Sequence, residues 1–136
     1  MKMTTKYKPK KFVLIVFIFL TSVAFLLAIG RWSSIFIDDF VVINSEIHSH
    51  ISNLSLSILG YLGIGYSWLI SGVKFRFIII LGAFMVLANF ICESPFMAFM
   101  NTPDIIDALY GTVGILVVFI FLFITNKCGL VLKNTE

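Results

Sequence analysis

A chain of 136 residues that is 60% apolar and only 12% charged does not read as a water-soluble domain, which holds roughly 45–50% apolar and about 25% charged residues. A mean hydropathy of +1.05 points the same way. The net charge of +3 is no sign of nucleic-acid binding, because the excess sits in one N-terminal cluster (Lys2, Lys6, Lys8, Lys10 and Lys11) without basic helices or aromatic platforms beside it.

Four long apolar runs occupy about 12–30, 51–71, 77–93 and 108–126. Each approaches the roughly 17–25 residues needed to cross a hydrocarbon layer of about 30 Å. Backbone groups inside such a layer must be satisfied within the segment or in a closed barrel. Runs such as Phe12–Leu20 and Ile115–Phe123 lack the alternation of barrel strands. The expected fold is therefore an all-α integral membrane protein, an antiparallel bundle of four transmembrane helices at about 12–30, 51–71, 77–93 and 104–126. A basic tail, 1–11, precedes this domain of residues 12–126, and a tail, 127–136, follows it.

Charge gives the expected orientation. Nine of ten basic residues lie in alternate gaps: the N-terminal five, then Lys74 and Arg76, then Lys127 and Lys133, with Arg31 the exception. Asp38, Asp39, Glu46, Glu93, Asp104 and Asp107 lie in the other gaps. Cytoplasmic loops collect Lys and Arg, so both termini are expected in the cytoplasm, with an acidic outer face. The chain is expected in the plasma membrane, in contact with its lipids.

Along the chain, the first run is nearly featureless and at about 19 residues is longer than the 7–15 of a signal-peptide core. It is expected to remain as a helix, with Trp32 at the interface. In the loop 31–49, Ile35–Ile37 and Phe40–Ile43 bracket Asp38-Asp39. That pattern fits either an amphipathic surface piece or a cap over the bundle.

The second helix carries His50, Asn53, Ser57 and Tyr61 at spacings of three and four, hence on one face. Ser52, Ser55, Gly60, Gly63 and Gly65 keep it slim, which suits a central helix with close neighbours. A short basic turn, Gly72–Arg76, makes it a hairpin with the third helix, where Asn89 and Glu93 stack near the outer end. Pro95 disfavours further helix. Phe96, Met97, Phe99 and Met100 form an apolar loop that is expected to dip into the interface or fold over the bundle. Thr102 is the expected cap of the fourth helix, with Pro103, Asp104 and Asp107 in its first turn. The tail after Gly129 is expected to lack regular order. Cys92 and Cys128 fall at opposite ends of the bundle and are expected to remain free thiols.

His50, Glu93 and Asp107 come from three helices at one depth on the acidic side, with Asn53, Asn89, Asp104 and His48 nearby. Ionisable groups within membrane helices are costly and commonly face an interior or a watery cavity. The candidate outer-face site is therefore His50, Asn53, Asn89, Glu93, Asp104 and Asp107; each alone is equally readable as a helix cap or packing residue. No cofactor is expected. Metal binding is disfavoured, since His48 and His50 lack the i, i+4 spacing of a two-histidine site and there is no His-Glu-x-x-His or paired-Cys motif. No Gly-x-Ser-x-Gly elbow supports hydrolase chemistry. Catalysis itself is left open.

The order of these residues resembles the VanZ-like family of small bacterial membrane proteins, over about residues 46–126. His50 takes the place of a helix-starting His, Glu93 that of a Glu ending a later helix, and Asp107-Ala-Leu-Tyr-Gly-Thr-Val-Gly114 that of an Asp-x-x-x-Asn-x-x-Gly pattern. Gly111 stands where the family has Asn, Ser94 follows Glu93 in place of Gln, and no Arg lies between Glu93 and Asp107. The resemblance implies a role at the cell envelope; the family's namesake is associated with glycopeptide-antibiotic resistance.

Three functional readings follow. In the first, the outer cluster handles an envelope lipid or glycan precursor in a pocket open to the outside. In the second, the chain is a non-catalytic subunit or interaction protein whose first and fourth helices are covered by a membrane-protein partner. In the third, a homo-oligomer forms a channel or perturbs the membrane.

Overall fold

The computed structural model describes residues 5–37, 40–95 and 103–133. Their order is β1 (Tyr7–Pro9), α1 (Lys11–Ser33), α2 (Ser45–Ser71), α3 (Phe75–Cys92), α4 (Ile105–Ile124), a π-helical turn (Thr125–Gly129) and β2 (Leu130–Leu132). The four helices, with α4 continued through the π turn, are 18 to 27 residues long and apolar enough to cross a membrane. At 1.5 Å per residue they measure roughly 27–40 Å.

Successive helices run in opposite directions. Arg31 of α1 meets His48 near the start of α2, whereas Phe17 stacks on Tyr66 near its end. Asn53 of α2 reaches Glu93 after α3, and Tyr61 reaches the carbonyl of Ile78. α2 and α4 run in parallel and pack most closely, with His50 beside Asp107 at one end and Gly65 against Leu122 towards the other. α2 touches all three other helices, as expected from its small and polar residues. The core lies between α2 and α4, around Ile58, Tyr61, Leu62, Ile115, Val118 and Leu122, with Ile78 of α3 and Val13 and Ala24 of α1 closing it.

Small residues permit that closeness. A Cβ on Gly114 would sit 2.8 Å from the Leu54 carbonyl oxygen, and one on Gly111 would collide with the Asn89 amide. α1 and α3 bury far less of themselves than α2 and α4. Ile15, Ile18, Phe19 and Leu26 on α1, and Ile80, Phe84 and Leu87 on α3, are exposed. An apolar surface of that extent is unfavourable in water and matches hydrocarbon.

Local signals place the helix ends. The Asn44 side chain accepts from the Ile47 amide at 2.8 Å, so α2 starts at Ser45, six residues before its apolar run. Propensity and a side-chain cap extend the helix through a polar stretch that hydropathy alone assigns to the loop. α2 ends at Gly72, with φ of 85°. There the Gly72 and Val73 amides return to the Leu69 and Trp68 carbonyls, the paired bonds of a left-handed helix stop. The cap of α4 is Asp104, which accepts from the Ile106 amide at 2.9 Å, so the cap lies two residues beyond the expected Thr102. Thr102 itself and the apolar loop residues Phe96, Met97, Phe99 and Met100 lie outside the described residues.

One segment differs from expectation. Leu130–Leu132 form β2, which pairs antiparallel with β1 in the register Tyr7↔Leu132, Lys8↔Val131 and Pro9↔Leu130. Pro9 biases Lys8 towards extended backbone, and Leu-Val-Leu pairs with that strand where the fold brings the two together. This ribbon is tied in by Lys6 N–H to Ile70 O and Lys10 N–H to Gly129 O, both at 2.9 Å. It thus fastens the basic ends of α1, α2 and α4 together. At the other end no amphipathic helix forms among the described residues of the 31–49 connection. Instead the chain folds back, and Val42 lies over Gly30 at the end of α1. Of the two expectations for this loop, the cap describes residues 40–44; Asp38 and Asp39 lie outside the described residues.

Candidate functional site

The polar face of α2 becomes a ladder of contacts to α3 and α4. His50 Nδ1 lies 2.7 Å from Asp107 Oδ1. One turn on, the Asn53 amide donates to Glu93 Oε1 at 3.3 Å. Ser57 Oγ accepts from the Asn89 amide at 3.2 Å, and Tyr61 donates to the Ile78 carbonyl at 2.9 Å. Each rung is one helical turn from the next, so the spacing of three and four on α2 sets the register of two neighbouring helices.

All six candidate residues come together, in two adjoining groups. One group is His50, Asp104 and Asp107. The His50 side chain is 10% exposed, while those of Asp107 and Asp104 are 22% and 41% exposed. His50 Nδ1 lies 3.8 Å from Asp104 Oδ2, and the imidazole lies tilted against the Tyr110 ring with centroids 5.0 Å apart. That packing fixes the ring plane. A carboxylate accepts, so the Asp107 contact places hydrogen on Nδ1.

The second group lines a cleft of about 230 Å³ between α2 and α3. Asn53, Ser57, Asn89 and Glu93 form its polar wall, and Leu56, Met85 and Cys92 its apolar wall. Glu93 caps the end of α3 and is only 8% exposed. Its Oε2 also accepts from the Asp104 backbone N–H at 3.4 Å, which joins the two groups. A buried carboxylate needs such donors to offset its lost hydration. The arrangement is thus continuous: a cleft rich in amide and carboxylate groups at one side, and an imidazole with two carboxylates at the other. It can bind a polar or cationic ligand group, or move a proton along the His50–Asp107 pair.

His48 does not join this cluster. Two positions on a helix lie about 200° apart, and His48 turns the other way, to Arg31. Arg31 Nη1 lies 2.9 Å from its Nε2, and the Val42 N–H donates to its Nδ1 at 3.1 Å. A guanidinium only donates, and a neutral ring has one acceptor nitrogen. The ring therefore satisfies one of these donors fully at a time. Arg31 also borders a second cleft of about 450 Å³ with Trp32, Ser52, Ser55 and Leu56.

Two features of the site are hard to read from sequence. Ser57 stands on the ladder face, but only the packing of α3 makes it a partner of Asn89. The sequence groups His50 with Asp104 and Asp107 at one end, but only the packing of α2 on α4 sets the distances of 2.7 Å and 3.8 Å that could suit an ion. Spacing rules for metal ligands test local pairs and do not register such a group. Cys92 and Cys128 are both free and exposed.

Comparison with protein-family models, curated proteins and solved structures yields no match to this chain. The site's chemistry therefore rests on its own geometry.

Proposed function

We propose that this chain is a multi-pass protein of the bacterial plasma membrane, with both termini in the cytoplasm, that handles an envelope lipid or glycan precursor at its outer face. The observation that carries this reading is the convergence of His50 of α2, Glu93 at the end of α3 and Asp107 of α4, beside a cleft walled by Asn53, Asn89 and Glu93. Sugars and phosphate-linked headgroups present many hydroxyl and amide groups. A cleft with a few placed polar groups on an otherwise apolar wall suits the junction of such a headgroup with its lipid tail.

Two further points support it. The acidic cluster and the basic ribbon lie at opposite ends of the four helices, in keeping with a positive cytoplasmic face. The order His50, Glu93, Asp107, Gly114 also resembles the VanZ-like pattern. Where that pattern has Asn, this chain has Gly111, and the Asn89 amide of α3 fills the space a side chain there would take. An amide thus remains at that spot, supplied by a different helix.

The test is complementation of a deletion strain by His50→Ala, Glu93→Gln and Asp107→Asn, with membrane abundance measured in parallel. Loss of activity at normal abundance is expected for all three. Full complementation by all three returns the cluster to capping and packing. A reporter fused after Glu136 is expected to read as cytoplasmic; an external reading overturns the orientation.

A second reading, a non-catalytic subunit of a membrane complex, draws support from the exposed faces of α1 and α3. α4 keeps such a face too, at Leu109, Val113, Leu116 and Ile120, while its other side packs against α2.

A further inference from the structure

We propose that His50, Asp104 and Asp107 form a binding site for a divalent transition-metal ion, Zn²⁺ or Mn²⁺. One donor atom from each residue lies within 4.8 Å of the others. His50 Nδ1 is 2.7 Å from Asp107 Oδ1 and 3.8 Å from Asp104 Oδ2. With metal–ligand bonds of about 2.0–2.2 Å, neighbouring donors lie roughly 3–3.5 Å apart. The two His50 separations bracket that range and the two aspartate oxygens lie within 4.8 Å of each other, so an ion is accommodated by side-chain adjustments of about an ångström.

Helix capping accounts for only part of this arrangement. Asp104 uses Oδ1 to cap α4, through the Ile106 amide, and leaves Oδ2 on the His50 side. Asp107 lies past the cap, and its carboxylate turns to the imidazole. That imidazole comes from another helix, is buried, and is held against Tyr110. Neither aspartate has a Lys or Arg within ion-pair distance among the described residues, and Arg31 is turned to His48. Two carboxylates beside a buried imidazole therefore lack a fixed positive charge, which a bound cation supplies.

The donor set selects among ions. One imidazole nitrogen with carboxylate oxygens suits Zn²⁺ or Mn²⁺, whereas Mg²⁺ and Ca²⁺ favour all-oxygen shells. No cysteine takes part, which disfavours thiolate-seeking ions. Ion binding displaces the hydrogen from Nδ1, to Nε2 where that nitrogen is bare and otherwise to water, and the freed lone pair coordinates while Nε2 carries the ring N–H. Three protein donors leave positions for water or an anionic oxygen. The site shares His50 and Asp107 with the proposed precursor site, but ion binding does not depend on that reading.

The test is calorimetric titration of tag-free, metal-stripped full-length chain in detergent with Zn²⁺ and Mn²⁺, each alone, and with Mg²⁺ as the contrast. One ion per chain is expected for Zn²⁺ or Mn²⁺, with little or no Mg²⁺ binding. Affinity is expected to fall about tenfold or more in His50→Gln, Asp107→Asn and Asp104→Asn. The Asn variants are near-isosteric, and Asn caps as well as Asp. Glu46→Gln, at an exposed carboxylate on the same end of α2, is expected to bind as the parent does. Should His50→Gln fail to fold by circular dichroism, the two Asn variants decide. Absence of saturable binding, or binding that all the variants retain, overturns the site. No envelope precursor is present in the titration, so its failure is separate from failure of complementation.

Discussion

His50 and Asp107 lie fifty-seven positions apart in the chain and 2.7 Å apart in the fold. This pair joins the start of α2 to the first turn of α4, two parallel helices that share the core. Hydrogen bonds involving a charged group contribute roughly 1.5–3 kcal/mol, and the 22% exposure of the Asp107 side chain lowers that figure here. A double-mutant cycle of His50→Ala and Asp107→Ala, followed by unfolding in mixed micelles, is expected to give a coupling energy of about 1–2 kcal/mol. Additive effects of the two changes would show that the pair does not hold the helices together.

The two buried tyrosines of α2 are expected to behave oppositely. Tyr61 donates to the Ile78 carbonyl, whereas Tyr66 Oη is buried with no hydrogen-bond partner among the described residues. Removal of the Tyr61 hydroxyl leaves an interhelical bond unmade, at a cost of about 0.6–1.7 kcal/mol in a membrane-like medium. Tyr66→Phe removes an unsatisfied group and is expected to be neutral or stabilising. Thermal unfolding of Tyr61→Phe and Tyr66→Phe in the same detergent checks both signs.

Gly114 and Gly63 form another contrasting pair. A Cβ at Gly114 meets the backbone oxygen of Leu54 at 2.8 Å, while at Gly63 nothing lies within 4 Å. Backbone cannot swing aside as a side chain can, so Gly114→Ala is expected to destabilise by about 1–3 kcal/mol. Gly63→Ala is expected to be neutral or to gain up to about 1 kcal/mol from helix propensity. Equal melting temperatures for the two variants would mean that α2 and α4 are not packed as described.

Ile43 is the one described non-glycine residue with positive φ, at 65°. It stands just before Asn44, the cap of α2, and is largely exposed. The left-handed conformation costs an L-residue roughly 1–2 kcal/mol, and Asn tolerates it better than a β-branched residue. Ile43→Asn is therefore expected to raise stability by about 0.5–1.5 kcal/mol. A lower melting temperature would show that Ile43 makes a contact worth more than its strain.

Composition and hydropathy alone determine much of this protein. Long apolar runs have to become helices if they lie in a medium that offers no hydrogen bonds, so the four helices are legible before any packing is known. The spacing of His50, Asn53, Ser57 and Tyr61 likewise identifies one polar face, because helical period is a property of the backbone. Caps and strands are less legible. Asn44 lengthens α2 through a polar stretch, and Leu130–Leu132 becomes a strand only because Tyr7–Pro9 lies beside it.

Tertiary structure alone decides which polar groups meet. His48 and His50 are neighbours in sequence, yet one turns to Arg31 and the other to Asp107. Asn89 finds Ser57 because Gly111 leaves room for its amide. Asp104 and Asp107 are placed near His50 by the helix order, but the packing of α2 on α4 decides which of their oxygens face the imidazole. Periodicity is written along one chain segment, but the partner of a side chain depends on helix order, direction and closeness of approach. Those depend on how small residues and bulky ones fit together across the whole fold.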